Sequence, residues 1–236
     1  MFLVNERLKK RLRGWVFLLP AMLALGAGIC AARELSAATI VAKREELAAF
    51  PSGRALPILR MGHPSLMADL AWLRAIQYYG EHRIHDRDYP YAEHLFNIIT
   101  GLDPTFEQAY AFGALILAED AGSPQKAEAL LTRGIASMPD SWWIRFERGF
   151  LRMIHLKNLE AATNDFYKAS LCPDSPEWVT RFAAWNYEKL GETETARKLW
   201  ERVGLETENK MVLEIAERAL NRLDEAEIGS GDNERN

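Results

Sequence analysis

A self-similarity of 34 to 35 residues constrains this chain more than any other feature of its sequence. Ala92, Ala127, Ala162 and Ala196 recur at that interval. Each is followed four residues later by a bulky side chain (Phe96, Leu131, Phe166, Trp200) and seven later by Ile99, Gly134, Ala169 or Val203. Gly80, Ala114, Gly149 and Ala184 form a second ladder in the same register, and Pro104, Pro139 and Pro173 form a third. A turn position recurs at Gly122, Lys157 and Gly191. Small residues at two matched positions let paired helices approach closely. The bulky residues fill the space between units. Each proline ends one unit, because the residue before a proline avoids the helical region. A single hairpin is too small to bury its own face, so several must stack.

This pattern of small, small, large-apolar, small and Pro resembles the tetratricopeptide family, over residues 68 to about 208. The resemblance implies an all-α fold, an α-solenoid of about four helical hairpins. The aromatic-and-leucine signature early in the first helix of each unit is poorly kept, with Ile76, Tyr110, Arg145 and Thr180 at the Trp-like position. After the fourth unit, Met211, Val212, Ile215, Ala216, Ala219, Leu220 and Leu223 make a period-3.6 stripe that predicts a capping helix. The repeat domain with its cap is placed at 68–226, and 227–236 reads as a disordered polar tail.

The resemblance further implies that the first helices of successive units line a groove for a partner's peptide or helix. In this register the groove positions are Arg74 and Gln77 in unit one, and Leu115 and Glu119 in unit two. Trp143, Phe146 and Phe150 follow in unit three, then Trp178, Arg181 and Trp185 in unit four. Trp143, Phe146 and Phe150 fall at i, i+3 and i+7, hence on one helix face. Aromatic and arginine residues are what interaction hot spots are made of, although the same spacing also suits a core. Trp142 and Trp143 are adjacent and cannot both face one way. Arg145, Arg148 and Arg152, on the opposite face of that helix, read as a solvated basic stripe.

The N-terminal segment has a different character. Residues 14–32 carry no charge and span roughly 28 Å as a helix, close to the hydrocarbon thickness of a bilayer. Arg7, Lys9, Lys10, Arg11 and Arg13 precede the run, giving residues 1–32 a charge of +4 and leaving −8 on the rest. A basic flank of this kind stays cytoplasmic, so 1–13 reads as a cytoplasmic flank, 14–32 as a transmembrane helix, and the remainder as exported. The layout also fits a cleaved signal peptide, or less well a lipoprotein modified at Cys30. Residues 33–67 read as a helical stalk followed by a Pro-containing loop with Pro57 and Pro64. The helix that opens unit one, with Asp69, Trp72, Arg74 and Gln77, loosely resembles that of some bacterial envelope repeat proteins.

Chemistry-bearing constellations are sparse. His82, His85 and His94, with Asp86, Asp88 and Glu93 nearby, are the one combination of residue types that suits zinc; the plainer reading is a solvated turn. Cys172 is the one cysteine after the apolar run, so no disulfide forms within the repeats. No phosphate-cradling glycine loop, Gly-x-Ser-x-Gly or His-Glu-x-x-His occurs. An acidic exported domain does not suit nucleic acid.

The sequence therefore predicts a non-enzymatic, single-pass inner-membrane protein with an extracytoplasmic domain of tetratricopeptide type. It would act as an adaptor or scaffold that binds a partner protein of the cell envelope, with no cofactor, metal or small-molecule substrate. One alternative is a fixed accessory subunit of a membrane complex, held through its transmembrane helix at Gly26 and Gly28. Another is a metal-dependent enzyme built on His82, His85 and His94.

Overall fold

The computed structural model describes residues 22, 25–31, 33 and 62–233, with side chains to 227. The chain divides into two compact units, Met1–Phe50 and Pro51–Asn236. In the first unit the described residues are helical and exposed. Much of the predicted span 14–32, and the stalk beyond Arg33, lies outside the described residues. Among the described residues no helix is long and apolar enough to cross a membrane.

The described residues of the second unit form helices joined by short turns, with no strand among them. Its helices are α1 (Pro64–Ile84), α2 (Ala92–Leu102), α3 (Glu107–Leu115), α4 (Pro124–Ser137), α5 (Trp142–Ile154), α6 (Leu159–Ser170), α7 (Glu177–Leu190), α8 (Thr193–Glu206) and α9 (Lys210–Asn233). Each helix packs on the next in sequence. The pairs α1/α2, α3/α4, α5/α6 and α7/α8 are the expected hairpins, and α9 lies on α8 as the cap. Pro104, Pro139 and Pro173 fall in the three junctions between pairs. Pro64 and Pro124 occupy the first turns of α1 and α4, where a missing N–H costs nothing. The hydroxyl of Ser141 and the side-chain carbonyl of Asn158 cap α5 and α6 by accepting from the backbone N–H of Ile144 and Ala161.

The ladders have direct physical counterparts. The four ladder alanines are almost fully buried, as are Phe96, Leu131, Phe166 and Trp200. The turn ladder is a row of left-handed residues: φ is +58° at Gly122, +53° at Lys157 and +78° at Gly191. Arg87, 35 residues before Gly122, has φ of +53° and completes the row in unit one. Its side chain hides it from a search for glycine.

Several expectations need correction. Gly80 does not mediate a close approach, since a Cβ there would meet nothing within 4 Å. Gly149 does, at 2.6 Å from the Phe166 ring and 3.1 Å from the Ala162 carbonyl. In unit two the tight position is Gly113, where a Cβ would lie 2.6 Å from Phe96 and 2.8 Å from Leu130. It stands one residue ahead of the ladder position Ala114. The reason is a π-helical turn, Ile116–Asp120, closed by Ala121 N–H donating to the Ile116 carbonyl at 2.9 Å. Such a turn inserts one residue into a helix.

Second, Arg145, Arg148 and Arg152 are not a solvated stripe. Arg148 grips Asp165 with two hydrogen bonds of 2.7 and 2.8 Å, and Arg152 reaches the same carboxylate at 2.8 Å. Arg152 also binds Glu128 at 2.7 Å, and Arg148 binds the Thr132 hydroxyl at 3.1 Å. Asp165 is 1% exposed, so this knot ties α4, α5 and α6 together from inside. Arg145 donates to the Pro139 carbonyl at 2.7 Å.

Third, the capping stripe is narrower than predicted. Val212, Ala216, Ala219 and Leu223 are buried, whereas Met211 and Ile215 are exposed. Helix α1 begins at Pro64, inside the stretch expected to be stalk and loop. The helical backbone of α9 runs through 227–233, where the polar tail was expected.

Candidate functional site

Helix α5 carries the site. Its N-terminal cap at Ser141 fixes where the helix starts and so which residues face α3 and α7. On the α3 side lies a shallow apolar pocket. Ala114, Leu115, Ala118 and Glu119 form one wall, Leu131 lies at its base, and Glu147, Phe150, Leu151 and His155 form the other wall. Leu115 immediately precedes the π turn, and Ala118 and Glu119 belong to it, so the inserted residue shapes that wall. The carboxylate of Glu119 meets the His155 ring Nε2 at 2.9 Å.

Glu147 accepts a hydrogen bond from the Trp143 indole N–H at 2.9 Å, and among the described residues no cation pairs with it. Burial raises its pKa, and the indole hydrogen bond offsets only part of that effect. A carboxylate taken out of water without a counter-charge is costly to keep. The charge balance on this side of α5 is therefore incomplete, in contrast to the knot on its other side.

From Phe150 an aromatic strip continues towards α7. Phe150 stacks with Phe146 at 6.5 Å, and Phe146 meets Trp178 edge-on at 4.9 Å. Trp178 also meets Trp142 edge-on at 5.6 Å. Phe182 joins the strip between Phe146 at 5.4 Å and Trp185 at 6.2 Å. Phe150, Trp178 and Trp185 keep 43%, 40% and 43% of their surface exposed. They are neither core nor isolated surface residues. The ammonium of Lys189 lies 3.4 Å above the Trp185 ring, and Arg181 lies 3.9 Å from Glu177.

The sequence-derived groove residues are thus distributed unevenly. Leu115, Glu119 and Phe150 share the pocket, and Phe146, Phe150, Trp178 and Trp185 belong to the strip. Trp143 serves mainly to hold Glu147. Arg74 and Gln77 meet each other on α1 at 3.4 Å, apart from this assembly. Glu147, His155 and Phe182 belong to the site but were missed. Phe182 lies four residues after Trp178, on the same helical face, and was legible for that reason. Locally Glu147 is marked only by Trp143 four residues earlier, and the facing pocket wall belongs to another unit.

The histidine constellation does not converge. Among the described residues no group of three or more His, Cys, Asp or Glu side chains could hold a metal ion. The His82 ring pairs through Nδ1 with Asp86 at 2.6 Å and packs against Tyr78 at 4.4 Å, while His85 is exposed. Cys172 is partly buried, its thiol donating to the Lys168 carbonyl at 3.3 Å.

No protein-family model matches the chain. No curated protein matches it. Among solved structures, two of MamA are similar at 16% and 15% identity, with TM-scores of 0.38 and 0.42. They cover 59% and 73% of this chain and 89% and 96% of their own. The second tetratricopeptide domain of human RPAP3, determined with an HSP70 peptide, is similar at 22% identity and a TM-score of 0.38. That match covers 56% of this chain and 98% of the domain.

Proposed function

We propose that the repeat domain is a protein-docking module whose groove along α3, α5 and α7 receives an apolar segment of a partner. The observation that carries this reading is the strip of half-exposed aromatic side chains that touch one another across α5 and α7. Exposed aromatic side chains in mutual contact suit an interaction site, and Trp supplies much contact area at little entropic cost. Trp178 and Trp185 can be truncated without opening the buried core, which makes the reading testable. In cross-linked membranes, the double variant Trp178→Ala plus Trp185→Ala should lose partners retained by the wild type while keeping its helical content. An unchanged partner set with an intact fold refutes the groove.

The wider role we propose is that of a membrane-anchored scaffold, with N-terminus cytoplasmic, repeats extracytoplasmic, and a partner in the cell envelope. It rests on the uncharged run 14–32 and the basic flank before it. A reporter active only outside the cytoplasm, fused after Asn236, should be active; inactivity reverses the orientation. The alternative of a fixed subunit held through its anchor is favoured by Gly26 and Gly28, which leave part of the described helix surface without side chains. Replacing the anchor with an unrelated one separates the two, since only an adaptor survives the exchange.

A further inference from the structure

We infer that the pocket between α3 and α5 is a subsite for a basic side chain, so that the groove selects a partner segment in which a Lys or Arg adjoins bulky apolar residues. The inference rests on the docking reading above and specifies its chemistry.

The pocket walls define the ligand. Leu115, Ala118, Leu131 and Leu151 offer apolar surface of the kind along which the methylene stem of Lys or Arg packs. Two carboxylates, Glu119 and Glu147, line the same pocket. Glu119 is met by the His155 ring Nε2 at 2.9 Å. Glu147 has only the neutral indole of Trp143. No guanidinium or ammonium of the described residues pairs with Glu147, although Arg148 adjoins it in sequence. That arginine is committed to Asp165 and Thr132 on the far side of α5. The nearby cations of α7 are also engaged: Lys189 sits on Trp185, and Arg181 lies beside Glu177. The unmatched charge of the groove is therefore negative and fixed at one point beside Phe150.

The neighbourhood of that point sets the rest of the recognition pattern. Phe150 belongs to both the pocket and the aromatic strip, so a cation entering the pocket lies beside an exposed ring face. Residues flanking the basic one would lie along Phe146, Trp178 and Trp185, which favours bulky apolar side chains. An acidic segment is disfavoured, because it would bring a like charge to a carboxylate already poorly solvated. Completing a desolvated ion pair is worth more than making one at an exposed rim.

The test uses the full-length chain in detergent and three fluorescent helical peptides with one apolar face in common. They carry Lys, Gln or Glu at the remaining positions, and binding is read by anisotropy at low and physiological salt. The Lys peptide should bind about tenfold or more tightly than the Glu peptide, with Gln between them. Glu147→Gln keeps an acceptor for the Trp143 indole and should bring the Lys peptide to within about twofold of the Gln peptide. Trp178→Ala plus Trp185→Ala should weaken all three peptides together. Failure of the Lys peptide to bind, equal binding of Lys and Glu peptides, or a Lys preference unchanged in Glu147→Gln overturns the basic subsite. If the tryptophan variant still weakens all three peptides, the docking groove stands without that subsite. If it weakens none, the groove itself fails.

Discussion

The two sides of α5 solve the problem of buried charge in opposite ways. Towards α4 and α6, Arg148 and Arg152 share Asp165 and reach Glu128 and Thr132, so each charge has a geometrically good partner. Towards α3, Glu147 is half-buried with an indole for company. A matched knot holds helices in one arrangement and leaves nothing for a ligand to add. An unmatched carboxylate beside exposed rings has something left to gain from a partner. The difference separates the part of the helix that serves the fold from the part we propose for recognition, and each part can be attacked separately.

The largest effect should come from the knot. Asp165→Asn leaves the largely covered Arg148 without a counter-charge and Arg152 with Glu128 alone, which costs about 3–5 kcal/mol. Denaturant unfolding should show the loss, and a cost under about 1 kcal/mol would place the knot in water after all. A smaller effect tests the same packing from the backbone side. Gly149→Ala pushes a methyl against Phe166 and should destabilise by about 1–3 kcal/mol. Gly80→Ala, at the matching ladder position, meets nothing and should stabilise α1 by up to about 1 kcal/mol. Thermal melts of the two variants should therefore shift in opposite directions.

The smallest effect belongs to the unmatched side. The raised pKa of Glu147 means that the folded state holds its proton more tightly than the unfolded chain does. Its ionisation therefore erodes stability as pH rises from the ordinary carboxylate value through the raised one. Glu147→Gln should be more stable than the wild type at neutral pH, with the gap closing as pH falls through that window. Melts across the acid range would show it, and a gap that is independent of pH would contradict it.

The hairpins and their order were legible because each depends on residues within one unit. Ala162 and Phe166 read as core from their spacing alone, and Pro139 reads as a junction. The knot was not legible, since Arg148 and Asp165 are 17 residues apart on different helices and isolated arginines on a helix face usually meet water. Gly113 was missed by one residue because the π turn shifts the register, and no residue type announces such a turn. Arg87 was missed because a left-handed residue is sought first as glycine. In the site, Phe150, Trp178 and Trp185 stood out by type and spacing. Glu147 became notable only once the α3 wall and the commitment of Arg148 to another carboxylate were visible.

The end-to-end order of packing, in which α1 rests on α2, α2 on α3 and so on to α9 on α8, has a mechanical consequence. No helix near one end braces a helix near the other, so the domain yields by small rotations shared among its junctions, as a spring does. Tension applied through the termini would be spread along the row and would begin to peel it at an end. A segment bound across α3, α5 and α7 would act as a splint over the middle junctions, and slower amide exchange there would report its presence.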